Sequence, residues 1–200
     1  PPKEAEYRPW QHLCVDRIGP YRIRRKGKKE LVFQAVTFID PATGWFELKE
    51  CKTKRADEIA NLVEQTWLSR YPWPEYITYD GGPEFKAEFG DLLRKEYSSI
   101  KTKPSSKRNP QANAILERAH GTIGNMIRTY DVENIELDED DPFAGLVSAV
   151  GFAIRSTYHT TLKSTPGQLV FGRDMIFPIE HIADWQLNQE QETTAHQQEQ

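Results

Sequence analysis

The sequence predicts an α/β domain built on one mixed sheet with helices on its faces. Three observations carry this expectation. Alternating and continuous apolar runs dominate residues 10–49, so strands come first. The apolar period then lengthens to that of a helix over residues 56–67. After that, helical stretches alternate with short apolar runs, as parallel strands joined by helical crossovers require.

The elements follow in order. Residues 1–9 are polar and read as a linker. Residues 10–18 (WQHLCVDRI) alternate and read as a strand. The basic stretch 20–29, with Gly27, reads as a turn or loop. Residues 31–39 (LVFQAVTFI) are nearly all apolar, as in a strand covered on both faces. Asp40-Pro41-Ala42-Thr43-Gly44 is a turn, and Trp45 to Lys49 starts a third strand, so 31–49 reads as a hairpin. Ala56, Ile59, Ala60, Val63 and Trp67 share one helical face, and Tyr71-Pro72-Trp73-Pro74 ends that helix. Tyr76 to Tyr79 is a short strand running into Asp80.

After Gly81-Gly82-Pro83, Phe85, Phe89, Leu92 and Leu93 mark a second helix, and residues 98–102 a fifth strand. Residues 103–110 (KPSSKRNP) hold two prolines and no other apolar residue and read as a mobile loop. A long helix from Gln111 to Tyr130 carries Ile115, Ala119, Ile123, Met126, Ile127 and Tyr130 as its stripe. Residues 131–141 are an acidic connector. Asp141-Pro142 reads as a cap followed by proline at the first helical position, and Phe143, Leu146, Val147, Val150 and Ile154 line the next helix. Thr165-Pro166 repeats that start signal and Gly172 stops a short helix. The Gln- and Glu-rich end reads as a disordered or loosely helical tail. The domain reading is therefore a linker over 1–9, a folded core over 10–180 and a polar tail over 181–200.

Charge is distributed unevenly. The net charge of −4 alone argues against a nucleic-acid partner. Yet residues 17–29 carry seven basic side chains and no acid, and residues 131–141 carry seven acids and no base. Local patches therefore outweigh the average. The acidic run lacks the glycine and ligand pattern of a calcium loop and reads as a solvated connector. The two cysteines, Cys14 and Cys51, lie in strand-like contexts and read as buried thiols. No CxxC pair or His/Cys cluster encodes a zinc site. No apolar run is long enough to span a membrane as a helix, and no signal peptide is expected before Tyr7.

Three acids stand out on this plan. Asp16 lies inside the first strand, on the face of Cys14 and Ile18, where an ionised carboxylate is costly without a partner. Asp80 sits at the carboxyl end of a strand that enters a crossover helix, where open α/β sheets place ligand sites. Glu117 points away from the apolar stripe of the long helix by 100° geometry, beside Asn113, Gly124 and Arg128, with His120 nearby. Alone, Asp80 has an ordinary explanation as a turn former and Glu117 as a solvated side chain, while Asp16 is harder to explain. Together, three carboxylates can hold hard cations such as Mg²⁺, which takes a few carboxylates, water and phosphate oxygens. Two ions about 3.5–4 Å apart would clamp the attacking and leaving oxygens of a phosphodiester.

Asp16, then Asp-Gly-Gly-Pro-Glu-Phe from Asp80, then Asn-Pro-Gln-Ala-Asn-Ala-Ile-Leu-Glu-Arg ending at Arg118, resemble the D,D-35-E signature of retroviral and long-terminal-repeat retrotransposon integrases. Trp10-Gln11 and the stretch Thr165 to Gly172 resemble those of the Ty3/gypsy type. The resemblance covers residues 8 to 180. Thirty-six residues separate Asp80 from Glu117, one more than the signature's name specifies, and Gly81 stands where Asn or Gln is common. Neither departure removes a ligand.

The resemblance implies a ribonuclease H-like fold, with five strands and the second antiparallel. It implies a catalytic set of Asp16, Asp80 and Glu117, which would bind Mg²⁺ or Mn²⁺, two ions when DNA is present, with Asp16 bridging them. It implies 3′-end processing and strand transfer of retroelement DNA. Asn109, Gln111 and Asn113 would lie beside the scissile strand, with Lys107, Arg108, His120 and Arg128 as phosphate partners. The partners implied are element-end DNA, target DNA and a second copy of the chain. The place of action implied is the nucleus, with a cytoplasmic stage during element replication. The zinc-binding module and C-terminal DNA-binding domain of such integrases are not in this sequence, so weak full integration and retained reverse reaction are expected. Two other readings fit the same residues: another nuclease or transposase of this fold, and a domesticated domain kept for binding.

Overall fold

The computed structural model describes residues 8–23, 30–79, 83–104, 110–133, 141–160 and 162–175. Five strands form one sheet in the order β3-β2-β1-β4-β5. They are β1 (His12–Ile23), β2 (Leu31–Ile39), β3 (Phe46–Glu50), β4 (Tyr76–Tyr79) and β5 (Lys101–Pro104). β1, β2 and β3 form an antiparallel meander, whereas β4 runs parallel to β1 and β5 parallel to β4. So β2 is the strand that opposes the rest, as expected. The helices are α1 (Ala56–Val63), α2 (Pro83–Glu96), α3 (Pro110–Glu133), α4 (Ala144–Ser156) and α5 (Pro166–Phe171).

Each sheet face buries its own cluster. Leu13, Val15, Val36, Phe38, Ile77 and Tyr79 pack with Ile59, Val63 and Trp67 and with Phe89 and Leu93 of α2. On the opposite face Ile18, Phe33, Ala35, Phe46 and Leu48 pack under Ile115, Ala119 and Ile123 of α3 and Leu146, Val150 and Ile154 of α4. The apolar run of β2 thus serves both clusters, which is why it does not alternate.

Several elements depart from the sequence expectation. The strand read over residues 10–18 continues to Ile23, so Pro20 to Ile23 is not loop. Gly19-Pro20 forms a bulge rather than a stop, because the register with β2 slips between Ile18 and Tyr21 and then resumes. Glycine is required there: at φ +93° a Cβ would lie 2.7 Å from the Phe33 carbonyl oxygen. Past α1 the chain opens into one π turn, Glu64–Leu68, which buries Thr66, Trp67 and Leu68 together. The fifth strand starts at Lys101 and takes in residues 103 and 104, which the sequence assigned to the loop. α4 begins at Ala144, with Phe143 at the N-cap and no side-chain cap. Phe143 is instead buried against Phe33 at 4.9 Å between ring centroids. α5 behaves as read: Thr165 accepts from the Gln168 N–H at 3.0 Å and Gly172 ends the helix at φ +68°.

The turn after β2 holds a fully buried carboxylate. Asp40 accepts from the Trp10 N–H at 3.1 Å, the Ala42 N–H at 3.1 Å and the Thr43 hydroxyl at 2.8 Å. Burial raises its pKa despite those three donors.

Candidate active site

Asp16 lies where β1 is flanked by β2 and β4. It faces Thr37 of β2, whose hydroxyl donates to the Asp16 carbonyl at 3.2 Å. On the other side the β1–β4 pairing runs from His12↔Tyr76 to Val15↔Tyr79. Asp16 and Asp80 are the next residues in sequence after that last pair; Asp80 itself lies outside the described residues. Leu13 and Val15 belong to the cluster under α1 and α2, whereas Cys14 and Ile18 face α3 and α4. By strand alternation Asp16 is on the α3 side. It is half-buried, and one carboxylate oxygen accepts the Arg17 N–H at 2.7 Å.

Glu117 is on the outer side of α3. Ala112, Ile115, Ala119, Ile123 and Ile127 are buried, while Asn113, Glu117 and His120 are exposed. A Cβ added at Gly121 or Gly124 would meet nothing within 4 Å, so the helix surface beyond Glu117 is open. Arg118 turns the other way and donates to the Tyr158 carbonyl at 3.2 Å, pinning α3 to the segment after α4. Among the described residues, no group of three or more His, Cys, Asp and Glu side chains is arranged to hold a metal. Asp16 and Glu117 offer carboxylate oxygens, the donor type that a hard divalent cation takes. On that chemistry the two residues fit such an ion.

The residues proposed for DNA contact divide three ways. Lys107, Arg108 and Asn109 lie outside the described residues, as do residues 24–29 of the basic run. Gln111 is in the first turn of α3. Asn113, His120 and Arg128 are exposed along α3, and the Arg128 guanidinium donates to the Asn125 side-chain oxygen. Arg22, at the start of the basic run, is in β1 and pairs with Glu30 at 2.8 Å.

Two features escaped the sequence reading. Tyr21, beyond the bulge, is hydrogen-bonded through its hydroxyl to Nδ1 of His120, one turn from Glu117. The two residues are 99 positions apart, and no local pattern signals that pair. The second is a small polar cluster just upstream of the acids. His12 Nε2 lies 2.8 Å from the Thr78 hydroxyl, which donates to Cys14 Sγ at 3.4 Å. Cys14 and Thr78 face each other across β1 and β4, two residues before Asp16 and Asp80 respectively.

The two thiols differ in environment. Cys14 is half-buried, whereas Cys51 is 1% exposed. Burial, reinforced by the Glu58 charge, pushes the Cys51 thiol up to about 11. At pH 8 Cys51 is then about one-thousandth thiolate. Iodoacetamide at pH 8 is expected to alkylate Cys14 in the native chain and to reach Cys51 only after denaturation. Peptide mass mapping checks the order, and native labelling of Cys51 first would contradict it.

Comparison with known proteins adds the context. No protein-family model matches the chain. In sequence it is 29% identical over 170 residues to the retrovirus-related Pol polyprotein from transposon 412 of Drosophila melanogaster, covering 84% of this chain. It is 24% identical to the Pro-Pol polyprotein of feline foamy virus over 92% of its length. The chain spans only 13% and 15% of those two relatives. In structure it is similar to the HTLV-2 integrase catalytic core domain in complex with magnesium, at TM-score 0.54 and 17% identity, covering 82% of this chain and 97% of that one. The BIV integrase catalytic core domain gives TM-score 0.54 and 17% identity, over 80% and 93% of the two chains. A chain of the simian T-cell lymphotropic virus intasome, solved with PP2A regulatory subunit B56 gamma, gives 0.59 and 18%, over 86% and 57%.

The fold is that of a retroviral integrase catalytic core. This is the ribonuclease H-like arrangement expected from the sequence.

Proposed function

We propose that this chain is the catalytic core of a retrovirus-like retroelement integrase, which trims the 3′ ends of element DNA and joins them to target DNA. One observation carries the reading: a half-buried Asp16 on the α3 side of the sheet, one residue past the end of the β1–β4 pairing, with Glu117 exposed on α3. Asp80 completes the set by its position in sequence, directly after β4.

The roles follow from the chemistry. Asp16 and Asp80 would hold negative charge just past the end of the β1–β4 pairing, and Glu117 would add a third carboxylate from the helix side. Mg²⁺ or Mn²⁺ bound there, two ions when DNA is present, would activate the attacking oxygen and stabilise the leaving one. Mutual repulsion among the three acids would make their protonation depend on that cation. Lys107, Arg108, His120 and Arg128 would contact the phosphate backbone, and Asn109, Gln111 and Asn113 would lie beside the scissile strand. The core would span residues 10–180, between a linker and a polar tail. It would act on nuclear DNA as a homodimer or higher assembly. Dimeric and trimeric forms of the HTLV-2 core support such an assembly.

The test uses a branched DNA that mimics an integration product. With Mn²⁺ or Mg²⁺ the chain is expected to run strand transfer in reverse and release the element end, and EDTA is expected to stop it. Cleavage of RNA–DNA hybrids without rejoining of branched DNA would favour another nuclease of this fold. DNA binding without chemistry in either metal would favour a domesticated binding domain.

A further inference from the structure

We infer that Tyr21 is a positioning residue that holds the His120 ring with its Nε2–H turned outward, as a phosphate donor beside Glu117. This inference rests on the DNA-processing reading of the same site. A phenol is a good donor, and an imidazole nitrogen without a proton is a good acceptor. With Nδ1 accepting from the Tyr21 hydroxyl, the ring proton belongs on Nε2. Burial raises the Tyr21 pKa, which keeps the hydroxyl protonated as a donor.

Tyr21 is itself held in place. Its ring stacks on Phe33 at 6.3 Å, and the fully buried Phe33 packs on Phe143 at the start of α4. The orientation of His120 is therefore set from the core through three rings. The outer side of His120 is open. It is exposed, and its neighbours Gly121 and Gly124 leave free space where side chains would stand. A nucleic-acid backbone can approach closely there. A fixed N–H donor one turn from Glu117 suits that approach, because it is turned toward the open side of the helix where a phosphate oxygen would lie.

The test reads the tautomer first, with no DNA present. Ring ¹⁵N spectra of the whole chain, with His120 assigned from the signal lost in His120→Gln, are expected to show the Nε2–H tautomer. Tyr21→Phe is expected to move it toward a mixture. Binding of branched DNA, followed by fluorescence anisotropy, is expected to weaken about 3- to 10-fold in Tyr21→Phe, the worth of one hydrogen bond. The same loss is expected in His120→Gln, and the double variant is expected to be no weaker than His120→Gln alone. An Nδ1–H tautomer, a tautomer unmoved by Tyr21→Phe, or additive losses would overturn the inference. A chain that binds no DNA would overturn the phosphate role together with the DNA-processing reading, while the tautomer still reports the Tyr21–His120 pair separately.

Discussion

Replacing Asp16 with Asn is expected to abolish strand transfer while leaving the fold intact. Metal-ion stabilisation of a phosphoryl transition state is worth several kcal/mol, and each 1.36 kcal/mol is tenfold in rate, so the loss is roughly 10³-fold or more. The side chain keeps its size. The Asn oxygen can still accept the Arg17 N–H now held at 2.7 Å, and the Thr37 hydroxyl bonds to the main chain, which the substitution does not touch. What disappears is one negative charge on a half-buried carboxylate that shares a strand face with Cys14 and Ile18. Losing that charge removes a desolvation cost, so the melting temperature is expected to hold or rise. Glu117→Gln should lose activity to a similar degree with no change in melting, because Glu117 is exposed. The checks are reverse strand transfer on branched DNA and a thermal melt of each variant. Near-normal activity in Asp16→Asn would remove Asp16 from the catalytic set.

The largest stability effect is expected outside that site, at Arg155. Its guanidinium lies 3.0 Å from a Glu47 oxygen, and the two side chains are 19% and 12% exposed. The Tyr71 hydroxyl donates to the same Glu47 oxygen, and the guanidinium sits 5.1 Å over the Trp45 ring. One ion pair thus joins α4, β3 and the segment after the π turn. Arg155→Met would leave the Glu47 carboxylate buried without its cation, a change that costs about 3–5 kcal/mol. For a chain of this size that lowers the melting temperature by roughly 6–20 °C. Adding Glu47→Leu to Arg155→Met is expected to recover a large part of the loss, because the stranded charge goes with it. Urea unfolding of both single variants and the double variant measures this. A loss under about 1 kcal/mol for Arg155→Met would mean that the pair is screened like a surface pair.

Much of the fold is legible in the sequence alone. β2 and β4 occupy the residues that their apolar runs marked, 31–39 and 76–79. The outward position of Glu117 follows from 100° per residue around Ile115. The misreadings share a cause. Gly19-Pro20 looks like a break in isolation, but pairing with β2 resumes beyond it because Tyr21 and Ile23 find Phe33 and Leu31. Asp141 looks like a cap in isolation, but the helix starts at Ala144, where Phe143 is buried against Phe33. The π turn likewise follows from burying Thr66, Trp67 and Leu68 together. In each case a tertiary contact outweighed a local preference worth about 1 kcal/mol or less.

The sequence by itself determined the order of strands and helices, the face that each element buries, and the three acids that mark the candidate site. Those are short-range properties, written in periods of two and 3.6 residues. The tertiary structure alone decided which side chains meet: the bulge that carries β1 on to Tyr21, the Tyr21–His120 bond across 99 residues, and the Arg155–Glu47 pair. Such partners are chosen by packing around a common core, and no window of local sequence contains both of them.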